Sequence, residues 1–167
     1  MSTGLAMGRG EHLNKGLMIS FFILVVTVAF VTLHGKISGS QFISDILFKK
    51  TIRIDAATFH VWVAKTDQER EEALNNKDSM PENSGMIFVF NEDGPYAVSV
   101  SKMHFPIDII WLSKEGSIVA IENFVSPGRA YPARPSVPAR YVLLLNGGVA
   151  DKNYIGNESH VNISNIQ

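Results

Sequence analysis

Two regimes of hydrophobic patterning divide the chain. From Gly16 to Leu33 it reads GLMISFFILVVTVAFVTL without a charged residue, and at about 1.5 Å rise per residue this run makes about 27 Å of helix. That length is close to the roughly 30 Å hydrocarbon core of a bilayer. The run is apolar on every face, with no polar stripe at 3.6-residue spacing, so lipid is its natural solvent and a membrane-spanning helix over 16–34 is expected, preceded by a short tail, 1–15. Residues 35–50 open as a Gly/Ser linker. They then place Phe42, Ile43, Ile46 and Leu47 at near-helical spacing ahead of Lys49 and Lys50, which suits either an interfacial helix or a short segment packed on the domain that follows.

Residues 51–167 change to short runs that alternate apolar and polar positions, the period of a half-buried strand. Strands are predicted over Thr51 to Ile54 and Phe59 to Ala64, with Asp55 to Ala57 as their turn. Thr66 and Glu69 form a T-x-x-E capping box, which predicts a helix from there to about Asn76. Its acidic run, Glu69, Glu71 and Glu72, is most simply a solvated face, with charges suited to the helix N-terminal half. Gly85 to Phe90, a turn at Asn91 to Gly94 and Tyr96 to Val100 together predict a hairpin. A second hairpin is predicted from Ile107 to Ser113 through Lys114-Glu115-Gly116 into Ser117 to Val125. Arg140 to Leu145 reads as a buried strand stopped by Asn146-Gly147-Gly148, and His160 to Ile163 as an edge strand. The pattern implies a mainly β domain, an antiparallel β-sandwich or partial barrel with one short α-helix, behind a single N-terminal transmembrane helix.

Composition narrows the classes of function. The 167 residues are 46% hydrophobic and 19% charged, enough for one domain with one core once the N-terminal segment is set aside. Fifteen basic and sixteen acidic residues leave a formal net charge of -1, so no overall field draws in a nucleic-acid backbone, and no nucleic-acid partner is expected. Cysteine is absent, which excludes disulfides, thiolate metal sites and cysteine nucleophiles. Arg9 and Lys15 precede the apolar run while Lys36, Lys49 and Lys50 follow it, a slight bias toward an N-in anchor. Ser38 and Ser40 resemble a signal-peptide cleavage site, yet the run exceeds an h-region of about 7–15 residues. Either way, the rest of the chain is exported, and a single-pass membrane protein with an extracytoplasmic domain is expected.

No motif announces a reaction. There is no HExxH, P-loop, G-x-S-x-G, glycine-rich dinucleotide turn or EF-hand spacing, so catalytic residues stay unassigned and no cofactor is expected. The histidines, His12, His34, His60, His104 and His160, are too scattered to give ligand spacing on one element, and no metal site is expected. Lys102-Met103-His104-Phe105-Pro106-Ile107-Asp108 is nonetheless unusual, because Asp108 interrupts the otherwise apolar strand IDIIWL. An aspartate there must be paired or hydrogen-bonded, since burying it alone costs several kcal/mol. It is either a general base or ligand-orienting group beside His104, or a structural carboxylate that accepts loop N–H groups or pairs with an arginine. Beyond Val125 a long loop interleaves Pro127, Pro132, Pro135 and Pro138 with Arg129, Tyr131 and Arg134. With Arg140, those guanidinium groups could clamp an anion or simply be solvated. The candidate polar site is therefore Lys102, His104, Asp108, Arg129, Arg134 and Arg140.

Three collinear blocks, KTDQEREEALNNKDSMPENSGMIFVF, MHFPIDIIWLSKEGSIVAIENFVSP and PARYVLLLNGGVADKNYIG, closely resemble the family known as domain of unknown function 192 over roughly Arg53 to Ile163. The resemblance implies a compact β-sandwich-like fold with one helix, often behind an export signal or anchor in prokaryotes, and no established activity. Where that family commonly reads F-W-M-K, this chain has Val98, Ser99, Val100 and Ser101. Where it commonly reads Y-V-L-E, position 144 is leucine. A lysine and an acid that relatives could pair are thus both absent here, and Lys102 could partly replace the lysine.

Three readings follow. The first is a membrane-anchored, non-enzymatic binding or interaction module with an unidentified protein or small-molecule partner. The second is an enzyme or small-ligand binder using Lys102, His104, Asp108 and a loop arginine, which requires those groups to converge. The third is a structural part of an envelope complex, which requires an exposed apolar patch.

Overall fold

The computed structural model describes residues 49–75 and 77–166. The expectations for 1–15, 16–34 and most of 35–50 lie outside them. Among the described residues no helix is long and apolar enough to cross a membrane.

Among the described residues seven strands form one sheet: β1 (Lys50–Ile54), β2 (Ala57–Ala64), β3 (Ser84–Gly94), β4 (Ile107–Leu112), β5 (Ile118–Val125), β6 (Ala139–Asn146) and β7 (Val161–Asn162). Their spatial order is β5-β4-β6-β3-β2-β1-β7. Among the described residues two short helices accompany them, one more than expected: α1 (Asp67–Glu72) between β2 and β3 and α2 (Val149–Lys152) after β6. The partial-barrel expectation holds in outline, whereas the sandwich does not, because a single sheet bends round. β5 and β7 stand at opposite ends of the order, yet Ser117 and His160 form an antiparallel bridge beside them. The Val161 N–H donates to the Gly116 carbonyl at 2.9 Å and completes that meeting of edges. Gly116 has φ +91, and a Cβ there would run into the Val161 carbonyl oxygen, so the turn between β4 and β5 needs glycine for two separate reasons.

Alternation along the central strands fills both faces. Ile110 and Leu112 of β4, with Tyr141, Leu143 and Leu145 of β6 and Ile87 of β3, point into the concave cluster, joined by Val149 and Ala150 of α2. Ile107, Ile109 and Trp111 alternate onto the convex cluster with Val142, Leu144, Met86 and Phe88. Every residue of β4 is buried, as a strand covered on both faces must be. What covers the convex face is irregular chain: Leu74 and Met80 after α1, Val98, Val100 and Met103, and Ala133 of the Pro-rich loop.

Three further expectations change. The sheet is not wholly antiparallel: β2 and β3 pair in parallel, and parallel neighbours need a crossover, here the segment carrying α1. The first predicted hairpin does not form. β3 runs on to Gly94 with β2 on one side and β6 on the other, so both of its edges are taken. Residues 96–100 leave the sheet, with Val98 making one isolated bridge to Ala133. The helix after Thr66 stops at Glu72 rather than near Asn76, because Ala73 turns to φ 28 and sends Leu74 into the convex cluster. The β1–β2 and β4–β5 hairpins agree with the pattern.

Candidate functional site

Two places hold polar groups in geometry that local chain preferences alone do not explain. The first is Asp108, fully buried on the concave side of β4. Its Oδ1 accepts the N–H of Phe124 at 2.8 Å and of Gly148 at 2.9 Å, and its Oδ2 accepts the N–H of Ala150 at 2.7 Å. Gly148 and Ala150 belong to the first turn of α2, whose donors have no intrahelical acceptor. Phe124 sits where the β4–β5 register shifts between Ile107 and Ile109, with φ 52, a conformation costly for a bulky side chain. One carboxylate thus fastens a β-bulge and a helix start to the middle strand, and both its oxygens are occupied by backbone donors. Its role is that of a structural carboxylate accepting loop N–H groups.

The second place is a groove of 470 Å³ between α1 and the segment 96–103, within the roughly 300–1,000 Å³ usual for small-ligand sites. Phe88, Phe90 and Tyr96 supply its aromatic surface, and the Phe90 and Tyr96 rings stack with centroids 3.5 Å apart. Trp111 Nε1 donates to the Tyr96 carbonyl at 2.8 Å and anchors that wall from the convex cluster. Along the other wall, Arg70 donates to the Lys65 carbonyl at 2.7 Å, the Val89 carbonyl at 2.9 Å and Asp67 Oδ1 at 2.5 Å. Its guanidinium also lies 4.6 Å from the Phe90 ring centroid. Thr66 and Glu69 complete the capping box beneath: the Lys65 and Thr66 N–H groups donate to Glu69 Oε2 at 2.7 and 2.9 Å, and the Glu69 N–H to Thr66 Oγ1 at 3.2 Å. Those backbone donors, Thr66 first and then Lys65, hold the Glu69 carboxyl below its ordinary range.

Residues 98–101 alternate: Val98 and Val100 are buried while Ser99 and Ser101 are exposed and line the groove. The two hydroxyls are 3.0 Å apart. Positions 99 and 101 are those where relatives were expected to carry tryptophan and lysine, so the family difference falls on the groove wall. Leu144, at the expected acid position, is buried in the convex cluster with Val98 and Val100.

The six candidate residues do not converge. Lys102 lines the groove. His104 Nδ1 lies 2.8 Å from Asp78 Oδ1 at an exposed position. Arg129 pairs with Glu122, Arg134 donates to the Pro95 carbonyl at 3.2 Å, and Arg140 Nε bonds Asp93 Oδ1 at 2.6 Å. None of the six is hydrogen-bonded or ion-paired to another, and the three arginines hold separate partners. Among the described residues no cluster of three His, Asp or Glu side chains could hold a metal ion. Apart from Lys102, the groove's own residues escaped the sequence reading: Glu71 looked like solvated helix surface and 96–100 like a strand. Val-Ser-Val-Ser was the available signal, a two-residue alternation that buries valines and exposes hydroxyls.

A crystal structure of a candidate transcription regulator from Sinorhizobium meliloti is similar at TM-score 0.66 and 24% identity, over 68% of this chain and 92% of that one. A protein of unknown function from Novosphingobium aromaticivorans is similar at TM-score 0.65 and 22% identity, over 68% and 84%. At these identities the likeness is one of fold. The comparison with curated proteins finds no match. The model of domain of unknown function 192, described as an uncharacterised ACR, matches residues 50–163, and the chain belongs to that family.

Proposed function

We propose that this protein is a membrane-tethered, extracytoplasmic binding module whose ligand occupies the groove between α1 and residues 96–103. The groove itself carries the reading: an aromatic surface, polar groups at its rim and a fixed wall are the makings of a ligand site. The same geometry weighs against a reaction centred on Asp108, because the side chain is fully buried and both carboxylate oxygens already accept backbone N–H groups. The tether rests on the uncharged apolar run from Gly16 to Leu33.

The test is purification of the tagged full-length chain from its native membranes, with mass spectrometry of whatever accompanies it, beside Ser101→Trp, which fills the groove from an exposed position. The expected result is a species that accompanies the parent chain and is lost from the variant. An identical set of companions on both proteins would overturn the groove as the binding site.

A further inference from the structure

Two opposite charges face one groove without meeting. Glu71 of α1 and Lys102 of the facing segment both line it, both are exposed, and neither side chain has a hydrogen bond or ion pair, with each other or with any other described residue. The remaining charges of the groove are already engaged. Asp67 is paired with Arg70, and Arg70 is further held by two carbonyl oxygens and set over the Phe90 ring. One wall therefore presents a free carboxylate. The facing segment presents a free ammonium on Lys102 and the hydroxyls of Ser99 and Ser101, and Phe88, Phe90, Tyr96 and Met103 line the same groove.

We propose that the groove binds a zwitterion with an apolar body: a free amino acid or short peptide with an aromatic or aliphatic side chain. Its ammonium sits at Glu71 and its carboxylate at Lys102, with Ser99 and Ser101 as hydroxyl donors to that carboxylate. This assignment rests on the groove being the ligand site. A ligand with one charge would engage only one of the two walls, whereas a zwitterion answers both with charge-assisted contacts. The apolar body covers the aromatic surface and keeps both contacts away from bulk water.

Calorimetric titration of the full chain in lipid nanodiscs tests the assignment with phenylalanine and Phe-Phe, each compared with its N-acetylated, C-amidated and doubly blocked forms. At least one free form is expected to bind saturably, and each single block is expected to weaken it by on the order of fivefold to tenfold. In Glu71→Gln the N-acetyl block should lose most of its effect while the amide block keeps its own. Lys102→Met should show the reverse. Equal binding of free and doubly blocked forms, or no binding of any of them, would overturn the zwitterion assignment. The groove reading stands or falls separately: a species lost only from Ser101→Trp keeps the groove as the site even if the zwitterion is wrong.

Discussion

Ala150 donates its backbone N–H to Asp108 Oδ2 at 2.7 Å across 42 positions of chain, and the bond is buried. The same carboxylate holds Gly148 and Phe124, so one side chain joins β4, the β5 bulge and the start of α2. Replacing it with alanine strands three backbone donors, each costing about 1–3 kcal/mol when buried and unpaired. Asp108→Ala is expected to lose at least about 3 kcal/mol in urea denaturation. Asp108→Asn should lose less, because its carbonyl still accepts while its amide opposes one donor. Ligand affinity of the folded fraction should stay unchanged in both; a large selective loss of binding would return Asp108 to the functional site.

Closure of the sheet depends on Gly116. A Cβ there meets the Val161 carbonyl oxygen, while at Gly128, which also has positive φ, it meets nothing within 4 Å. Gly128→Ala should therefore cost only the backbone term, about 1–2 kcal/mol. Gly116→Ala should cost clearly more, with a larger fall in Tm and faster amide exchange at Val161. Equal effects would mean that the β5–β7 meeting adds little stability.

Trp111 supports the groove from behind. Trp111→Phe keeps most of the packing volume but removes the hydrogen bond to the Tyr96 carbonyl, for an expected loss of about 1 kcal/mol. Because Tyr96 stacks on Phe90 in the groove, affinity for the groove ligand should fall as well. Unchanged affinity at reduced stability would separate the wall from the site.

Acid should loosen α1 through Glu69. Its carboxyl titrates below the ordinary range in the folded chain, chiefly through the Thr66 and Lys65 N–H donors. A depressed folded value contributes stability above the unfolded value of about 4.3, and that contribution is lost as pH falls through the folded value. Glu69→Gln should flatten the stability profile below about pH 4.3, read by circular dichroism during denaturant titration. Glu69→Ala, which keeps the Thr66 cap on the residue 69 N–H but removes the acceptor of the Lys65 and Thr66 N–H groups, should lose about 1 kcal/mol near neutral pH.

The proposed tether makes a cellular expectation. The full chain should resist alkaline carbonate extraction, and protease added outside intact spheroplasts should digest the domain. Release into the soluble fraction would remove the anchor, and protection from the protease would reverse the orientation.

Local signals and distant pairing divide the account of this chain. The capping box at Thr66 and Glu69, the turn at Lys114-Glu115-Gly116 and the two hairpins it predicts correctly all depend on residues a few positions apart, where backbone donors and turn angles leave a direct mark on the sequence. The buried aspartate was legible too, since a carboxylate within IDIIWL has to find donors. Its donors were not, because Gly148 and Ala150 lie some forty positions away in the chain. The failed hairpin has the same cause: the turn residues at Asn91 to Gly94 are compatible with a tight return, but β6 pairs with β3 from a remote part of the sequence and takes the edge that residues 96–100 would have used. The groove follows from that displacement. Alternation alone determined that the valines at 98 and 100 would be buried and the serines at 99 and 101 exposed. Only the tertiary structure decided that those serines and Lys102 would line one groove with Glu71, because they come from segments about thirty positions apart that packing, rather than any spacing along the chain, brings together.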